Sequence, residues 1–397
     1  MSVEDLPNAF VPYPPAHVAQ APPGPHARPR LGVKDLFDVA GYPTGAGSPT
    51  ILALSGIKTG SAHAVKQLLA AGAHFAGKTH TDEFAFSVTG RNAHFGTPRN
   101  GAAPDRIPGG SSSGSASAVS NGLCDFALGT DTGGSVRAPA SNCGLWGLRP
   151  THGRISLDGV WPLAPSFDTC GFLAREIDVM RRVGAVLLGE DPNPLPAAVR
   201  LLDAQDAWTG AEPAVRAALE PARAAVVAAV RASPEPTALA PEGFEPLLLA
   251  FRRLQGAEAW ASDGELIERH GIPLGPGVAE RFAWSRVLDP ADVEEARRMR
   301  VQFREALELL LGRDGVLMLP TMPDVAPLLV TDESTLDAYR QRAIAVLSAA
   351  SLAGVPQLSM PLGQIDGVPI GLSLIAPRGA DRSLLDLAGR IASVVAC

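Results

Sequence analysis

Two glycine-serine clusters, Gly109-Gly110-Ser111-Ser112-Ser113-Gly114-Ser115 and Gly129-Thr130-Asp131-Thr132-Gly133-Gly134-Ser135-Val136-Arg137, leave this chain few ways to fold around them. A Gly/Ser run on its own reads as a flexible linker. Here the first cluster leads into small residues from Ser113 to Asn121, closed by Gly122, which is the pattern of a helix with glycine at C′. Cys124 to Leu128 then reads as a short strand, and Gly133-Gly134 permits a tight turn in which no side chain covers the backbone N–H groups. Val136 to Asn142 follows as a helical turn opened by Ser135. The segment is therefore expected to be part of a packed core, with two tight turns facing one place.

What such turns can do follows from the residues beside them. A serine hydroxyl is a poor nucleophile at neutral pH and needs a base within hydrogen-bond reach. Lys34, in Val33-Lys34-Asp35, is a candidate base if burial lowers its pKa enough for the neutral amine to be populated. Asp35 follows directly, but alternate residues of an extended chain face opposite ways, so it should point elsewhere. Ser111 can accept from one neighbour and donate to another, which makes it a bridge between Lys34 and Ser135. Ser135 is then the nucleophile, and the N–H groups of Thr132, Gly133 and Gly134 stabilise the developing oxyanion and bind the substrate carbonyl. Asp131 and Arg137 flank this turn and are expected to pair and brace it rather than touch substrate.

This constellation resembles the amidase signature family. In that family the relay serine follows the first Gly-Gly of Gly-Gly-Ser-Ser-Gly-Gly-Ser, and the nucleophile follows Thr/Ile-Gly-Gly. Ser111 and Ser135, 24 residues apart, match both positions and the family's spacing, and Leu31-Gly-Val-Lys34-Asp35 matches its lysine strand. Ser113 departs from the commoner glycine there. The resemblance implies a cis peptide bond at Gly110-Ser111, and an α/β fold with a mixed central sheet flanked by helices on both faces. It also implies an acyl-enzyme route for amide hydrolysis without metal or organic cofactor. Asn92 to Asn100, Ser166-Phe-Asp-Thr169, and the segments around Val355, Val368 and Ile375 extend it. The short N-terminus and these motifs are most similar to indole-3-acetamide hydrolase-like members, so an aryl or indolyl acetamide is the first substrate expected, with ammonia released. Two other readings stay open: a glutaminase subunit delivering ammonia to a partner, and a catalytically silent scaffold. The family's habits also suggest a homodimer.

Other chemistries find little footing. The eight histidines show no His-Glu-x-x-His or comparable metal-ligand spacing. Gly110-Ser111-Ser112-Ser113-Gly114 fits Gly-x-Ser-x-Gly formally, but Asp105 to Pro108 is no buried strand to lead into a nucleophile elbow. A net charge of −7 without a basic run disfavours nucleic acid. No apolar run approaches the roughly 20 residues of a membrane span. Cys124, Cys143, Cys170 and Cys397 form no CxxC and read as reduced thiols, which with the lack of a signal-peptide pattern suggests a cytoplasmic enzyme.

Along the chain, residues 1–30 form a proline-rich segment expected to run extended over the surface, followed by one domain over 31–397. Strands are expected near Gly32 to Lys34 and His74 to Gly77 around a helix at Ala62 to Ala71, which is the order of a parallel βαβ unit. From about 190 to 310 the pattern is helical, as in Ala214 to Arg231 and Pro290 to Leu311, and this section is expected to cap the site. Trp208, Trp260, Phe282 and Trp284 are its candidate pocket walls. Val316 to Pro320 reads as a buried strand, and Asp366-Gly367 as the turn of a hairpin.

Overall fold

The short apolar runs become the strands of a single mixed sheet, seen in a computed structural model that describes residues 7–21 and 28–395. They are β1 (Arg30–Lys34), β2 (His74–Thr79), β3 (Phe126–Thr130), β4 (Trp146–Arg149), β5 (Cys170–Ala174), β6 (Arg200–Ala204), β7 (Glu235–Thr237), β8 (Gly315–Pro320), β9 (Gln357–Ile365) and β10 (Val368–Ile375). Their order is β2-β1-β3-β5-β4-β9-β10-β8-β6-β7. Helices flank this sheet, and the whole is one α/β domain. β3, β4, β5 and β8 are buried along their full length, as strands covered on both faces must be, and their sequences are correspondingly apolar without alternation.

The parallel expectation holds at one end. β1 pairs in parallel with β2 and β3, so the C-terminal ends of all three emerge at the same edge, the usual place for a ligand crevice in an open α/β sheet. From β3 through β5, β4, β9, β10 and β8 the pairing is antiparallel, and it returns to parallel at β6 and β7. β3 begins two residues later than Cys124, at Phe126, and extends to Thr130, which carries the threonine to the strand's end beside Lys34. Asp366 and Gly367 both have positive φ, at 49° and 81°, as the two-residue turn between β9 and β10 requires.

The described part of the proline-rich segment guards the exposed edge of β2. Phe10 bridges to Thr79, and the Val11 N–H donates to the Lys78 carbonyl at 2.9 Å. An open strand edge left bare is a template for unwanted pairing, and this segment covers it. Residues 1–6 and 22–27 of that segment lie outside the described residues. The long helices of the middle section, Pro213–Val230, Phe244–His270 and Pro290–Leu311, fall where the helical periodicity puts them.

Candidate active site

Lys34 is the last residue of β1 and is fully buried. Its Nζ donates to Ser111 Oγ and to Thr130 Oγ1, each at 2.8 Å. Among the described residues it forms no ion pair. Burial lowers its pKa from 10.5 to about 7, against the opposing pull of Asp82, Asp131 and Asp168. Asp35 faces the other way, as strand alternation requires: it pairs at 2.8 Å with the buried Lys78, and Tyr13 donates to it at 2.8 Å. A neutral amine is therefore accessible at Lys34 because burial disfavours its charge and no carboxylate, Asp35 included, is bonded to it.

Ser111 sits on the turn before the helix Ser113–Ser120, and the Gly110-Ser111 peptide bond is cis, as the resemblance implies. Two backbone bonds lock this turn to its surroundings. Asp82 N–H donates to the Ser111 carbonyl at 3.1 Å, and Ser112 N–H to the Ser135 carbonyl at 3.2 Å. Ser135 is nearly buried, at 3% exposure, and its Oγ donates to the Ser87 carbonyl at 3.5 Å. Among the described residues there is no hydrogen bond between the Ser111 and Ser135 hydroxyls. The structure thus brings Lys34 and Ser111 into contact and sets Ser135 beside them, joined through the backbone.

The turn from Asp131 to Ser135 is braced by charge. Asp131 accepts from the N–H groups of Gly134 at 2.9 Å and Val136 at 3.0 Å, from Arg137 Nη2 at 2.7 Å and from Arg149 Nη1 at 3.1 Å. Burial would raise its pKa, but the Arg137 and Arg149 guanidinium groups and these amides hold it well below the usual carboxylate range. Gly134, one of the three amides assigned to the oxyanion by sequence, therefore gives its N–H to Asp131. Among the described residues the amides of Thr132, Gly133 and Ser135 have no partner, so the turn presents three open donors with Ser135 replacing Gly134. The glycines are required by space as well: a Cβ on Gly133 would lie 2.5 Å from the Phe251 ring, and one on Gly134, at φ 122°, 2.5 Å from Leu347. Thr132 Oγ1 donates to Asp168 at 2.6 Å, and Asp168 takes the N–H groups of Leu163 and Ala164 at 2.9 and 3.0 Å.

Two cavities open beside these residues. The smaller, about 160 Å³, is lined by Thr130, Thr132, Trp161 and Asp168 among others. The larger, about 840 Å³, begins at Phe86, Ser87 and Thr89 and is bounded by Trp284, Ile344 and several arginines. Of the four aromatic residues expected as pocket walls, Trp284 lines this cavity and Phe282 stands directly behind Phe86, ring centroids 5.1 Å apart. Trp208 and Trp260 belong elsewhere: Trp208 donates to Asp203 at 2.6 Å, at the far end of the sheet, and Trp260 stacks under Arg286. Among the described residues no cluster of His, Cys, Asp and Glu is arranged to hold a metal ion, and no helix is long and apolar enough to cross a membrane.

The model of the family described as Amidase matches residues 30–240 and 277–385. The chain belongs to the amidase family. It is 37% identical over 394 residues to Amidase 1 of Arabidopsis thaliana, covering 92% of each. It is 34% identical to Translocon at the outer membrane of chloroplasts 64 of Pisum sativum, over 94% of this chain and 67% of that one. A crystal structure of an amidase superposes with a TM-score of 0.79 at 35% identity, covering 92% of this chain and 84% of the other. The activity is hydrolysis at an amide C–N bond.

In this amidase, four residues that hold the site together are given no role by a reading of motifs. Thr130 shares the lysine with Ser111, Arg149 brings a second cation to Asp131, Asp168 fixes Thr132, and Asp82 sits fully buried with its Oδ2 accepting from Gly90 N–H at 3.0 Å. Thr130 and Asp168 lie inside motifs already singled out. Arg149 and Asp82 carry no such signal, since a lone arginine or aspartate reads as surface charge until its burial is known.

Proposed function

We propose that this amidase cleaves a primary carboxylic acid amide through a Ser135 acyl-enzyme, releasing ammonia. The observation that carries this is a wholly buried lysine with no carboxylate bonded to it, whose amine reaches Ser111 at 2.8 Å at the foot of a glycine turn. Rotation of Ser135 about χ1 swings Oγ from the Ser87 carbonyl towards Ser111. The Ser135 proton then passes to Ser111 and the Ser111 proton to neutral Lys34 as Oγ attacks the amide carbon. The carbonyl oxygen takes up negative charge against the free amides of Thr132, Gly133 and Ser135, each such donor being worth about 3 kcal/mol of barrier. Lys34 and Ser111 return the proton to the leaving amine, and water repeats the cycle to free the acid. Phe86 and Trp284 at the large cavity suit a flat acyl group, which is consistent with aryl or indolyl acetamides. Cys124, Cys143 and Cys170 are free thiols, as suits a reducing cytoplasm.

The test is ammonia release over a panel of aryl, indolyl and aliphatic primary amides and glutamine, by wild-type and Ser135→Ala protein. Turnover abolished in the variant with an unchanged far-UV spectrum is the expected result. Near wild-type turnover by Ser135→Ala removes the serine mechanism, and a folded wild-type protein silent on every amide favours the scaffold reading.

A further inference from the structure

The 840 Å³ cavity is lined by four arginines and three carboxylates, and their pairing is uneven. Arg91 is paired with Glu333 at 2.8 Å, and Arg340 with Asp337 through both Nε and Nη2, at 2.9 and 2.7 Å. Glu280 is occupied by the Gly277 N–H. That leaves Arg252 and Arg281, which among the described residues have no carboxylate partner at all. Each guanidinium is instead held against an aromatic face, Arg252 over Trp284 at 5.3 Å and Arg281 over Phe86 at 5.6 Å. Arg281 Nε is buried without a hydrogen-bond acceptor. Burial, with the repulsion of nearby Arg340, pulls the Arg281 pKa down to about 9 against the pull of Asp82, Asp337 and Glu280, and Arg252 is lowered for the same two reasons against the pull of Asp337.

A partly desolvated guanidinium with no carboxylate bonded to it is unfavourable, and two side by side make a site that an anion can satisfy. We propose that Arg281 and Arg252 bind a carboxylate on the acyl group of the substrate, so that this enzyme's amides are anionic. Neighbouring residues tie the cavity wall to the turn. Arg252 follows Phe251, whose ring abuts Gly133, and Leu347 abuts Gly134 on the helix that carries Arg340. Ser87, whose carbonyl accepts from Ser135 Oγ, and the arginines line one cavity together with Phe86 and Trp284, which suits a flat spacer between amide and carboxylate. Of the three lining carboxylates, Glu333 and Asp337 are paired with arginines and Glu280 accepts the Gly277 N–H.

The inference rests on the amide-hydrolase reading only for the position of the reacting bond, and its test has one arm for turnover and one for binding. In the first, kcat/KM is compared for 4-carboxyphenylacetamide against phenylacetamide, with wild-type and Arg281→Gln protein. A charge-assisted contact of this kind gives an expected preference of about 10- to 100-fold for the anionic amide, collapsing towards one in the variant. In the second, thermal unfolding of Ser135→Ala protein is followed with 4-carboxyphenylacetamide, and again with Arg281→Gln added. A rise in Tm that disappears with Arg281→Gln supports the carboxylate site even if no amide is turned over, in which case the hydrolase reading alone fails. Arg281→Gln removes an uncompensated cation, so its own Tm is expected not to fall. A wild-type preference for the neutral amide, or a preference and Tm rise both unchanged by Arg281→Gln, overturns the proposal.

Discussion

Lys34→Met separates the cost of a buried base from its use. The unfolded chain holds the lysine proton to pH 10.5, whereas the folded chain releases it near 7. Between those values the unfolded state binds more protons, so wild-type stability climbs with pH through this window. At pH 7 the displacement is worth about 5 kcal/mol, at 1.36 kcal/mol for each tenfold change. Methionine nearly fills the same volume but leaves Ser111 Oγ and Thr130 Oγ1 without the donor they share. Two such losses in a buried site cost about 2–3 kcal/mol together. The variant should therefore be more stable than wild type at pH 7, by about 2 kcal/mol, and less stable by a similar amount near pH 10, where the lysine penalty has almost vanished. Urea titrations of both proteins at half-unit intervals from pH 6 to 10 measure this directly, since groups common to both cancel in the difference. Activity should be lost throughout. A stability difference that does not vary with pH would refute the argument, because it would mean that Lys34 keeps its proton in the fold.

The same pKa predicts that wild-type kcat/KM falls as pH drops below about 7, because a protonated Lys34 cannot accept the Ser111 proton; a flat profile from pH 5.5 to 8.5 removes Lys34 as the base. Asp131→Asn leaves Arg137 and Arg149, both fully buried, without their shared carboxylate, and should lower stability by about 3–5 kcal/mol in a denaturant titration. Gly134→Ala places a side chain at φ 122° and 2.5 Å from Leu347, costing roughly 1–3 kcal/mol in backbone strain and a further ~1–3 kcal/mol in overpacking. Because that turn also aims the free amides of Thr132, Gly133 and Ser135, kcat should fall more than KM changes, and an unaltered kcat would detach the turn from the chemistry.

What could be read from the chain and what could not divide along a physical line. Short-range grammar was legible: glycines at turns, a small-residue helix, apolar strands, and Asp35 turning away from Lys34 because adjacent strand residues must. The positions of the lysine and the two serines belong to that grammar, since each is placed by the element that ends or begins beside it, whereas the amide of Gly134, expected to be open, is taken by Asp131. Pairing of charges over long sequence separations was not legible. Arg149 reaches Asp131 from β4, and Asp168 reaches Thr132 across 36 residues, by a topology in which β5 lies between β3 and β4. The cavity is the extreme case. Arg252, Arg281 and Arg340 stand on three helices, and each alone reads as the solvated face of an amphipathic segment. Only Arg340 has its carboxylate three residues away on the same helix, where spacing could reveal it. That Arg252 and Arg281 form no ion pair among the described residues is a property of how the helices meet, and it is this unfilled pairing, which no motif encodes, that turns a set of ordinary arginines into a place for the substrate's own carboxylate.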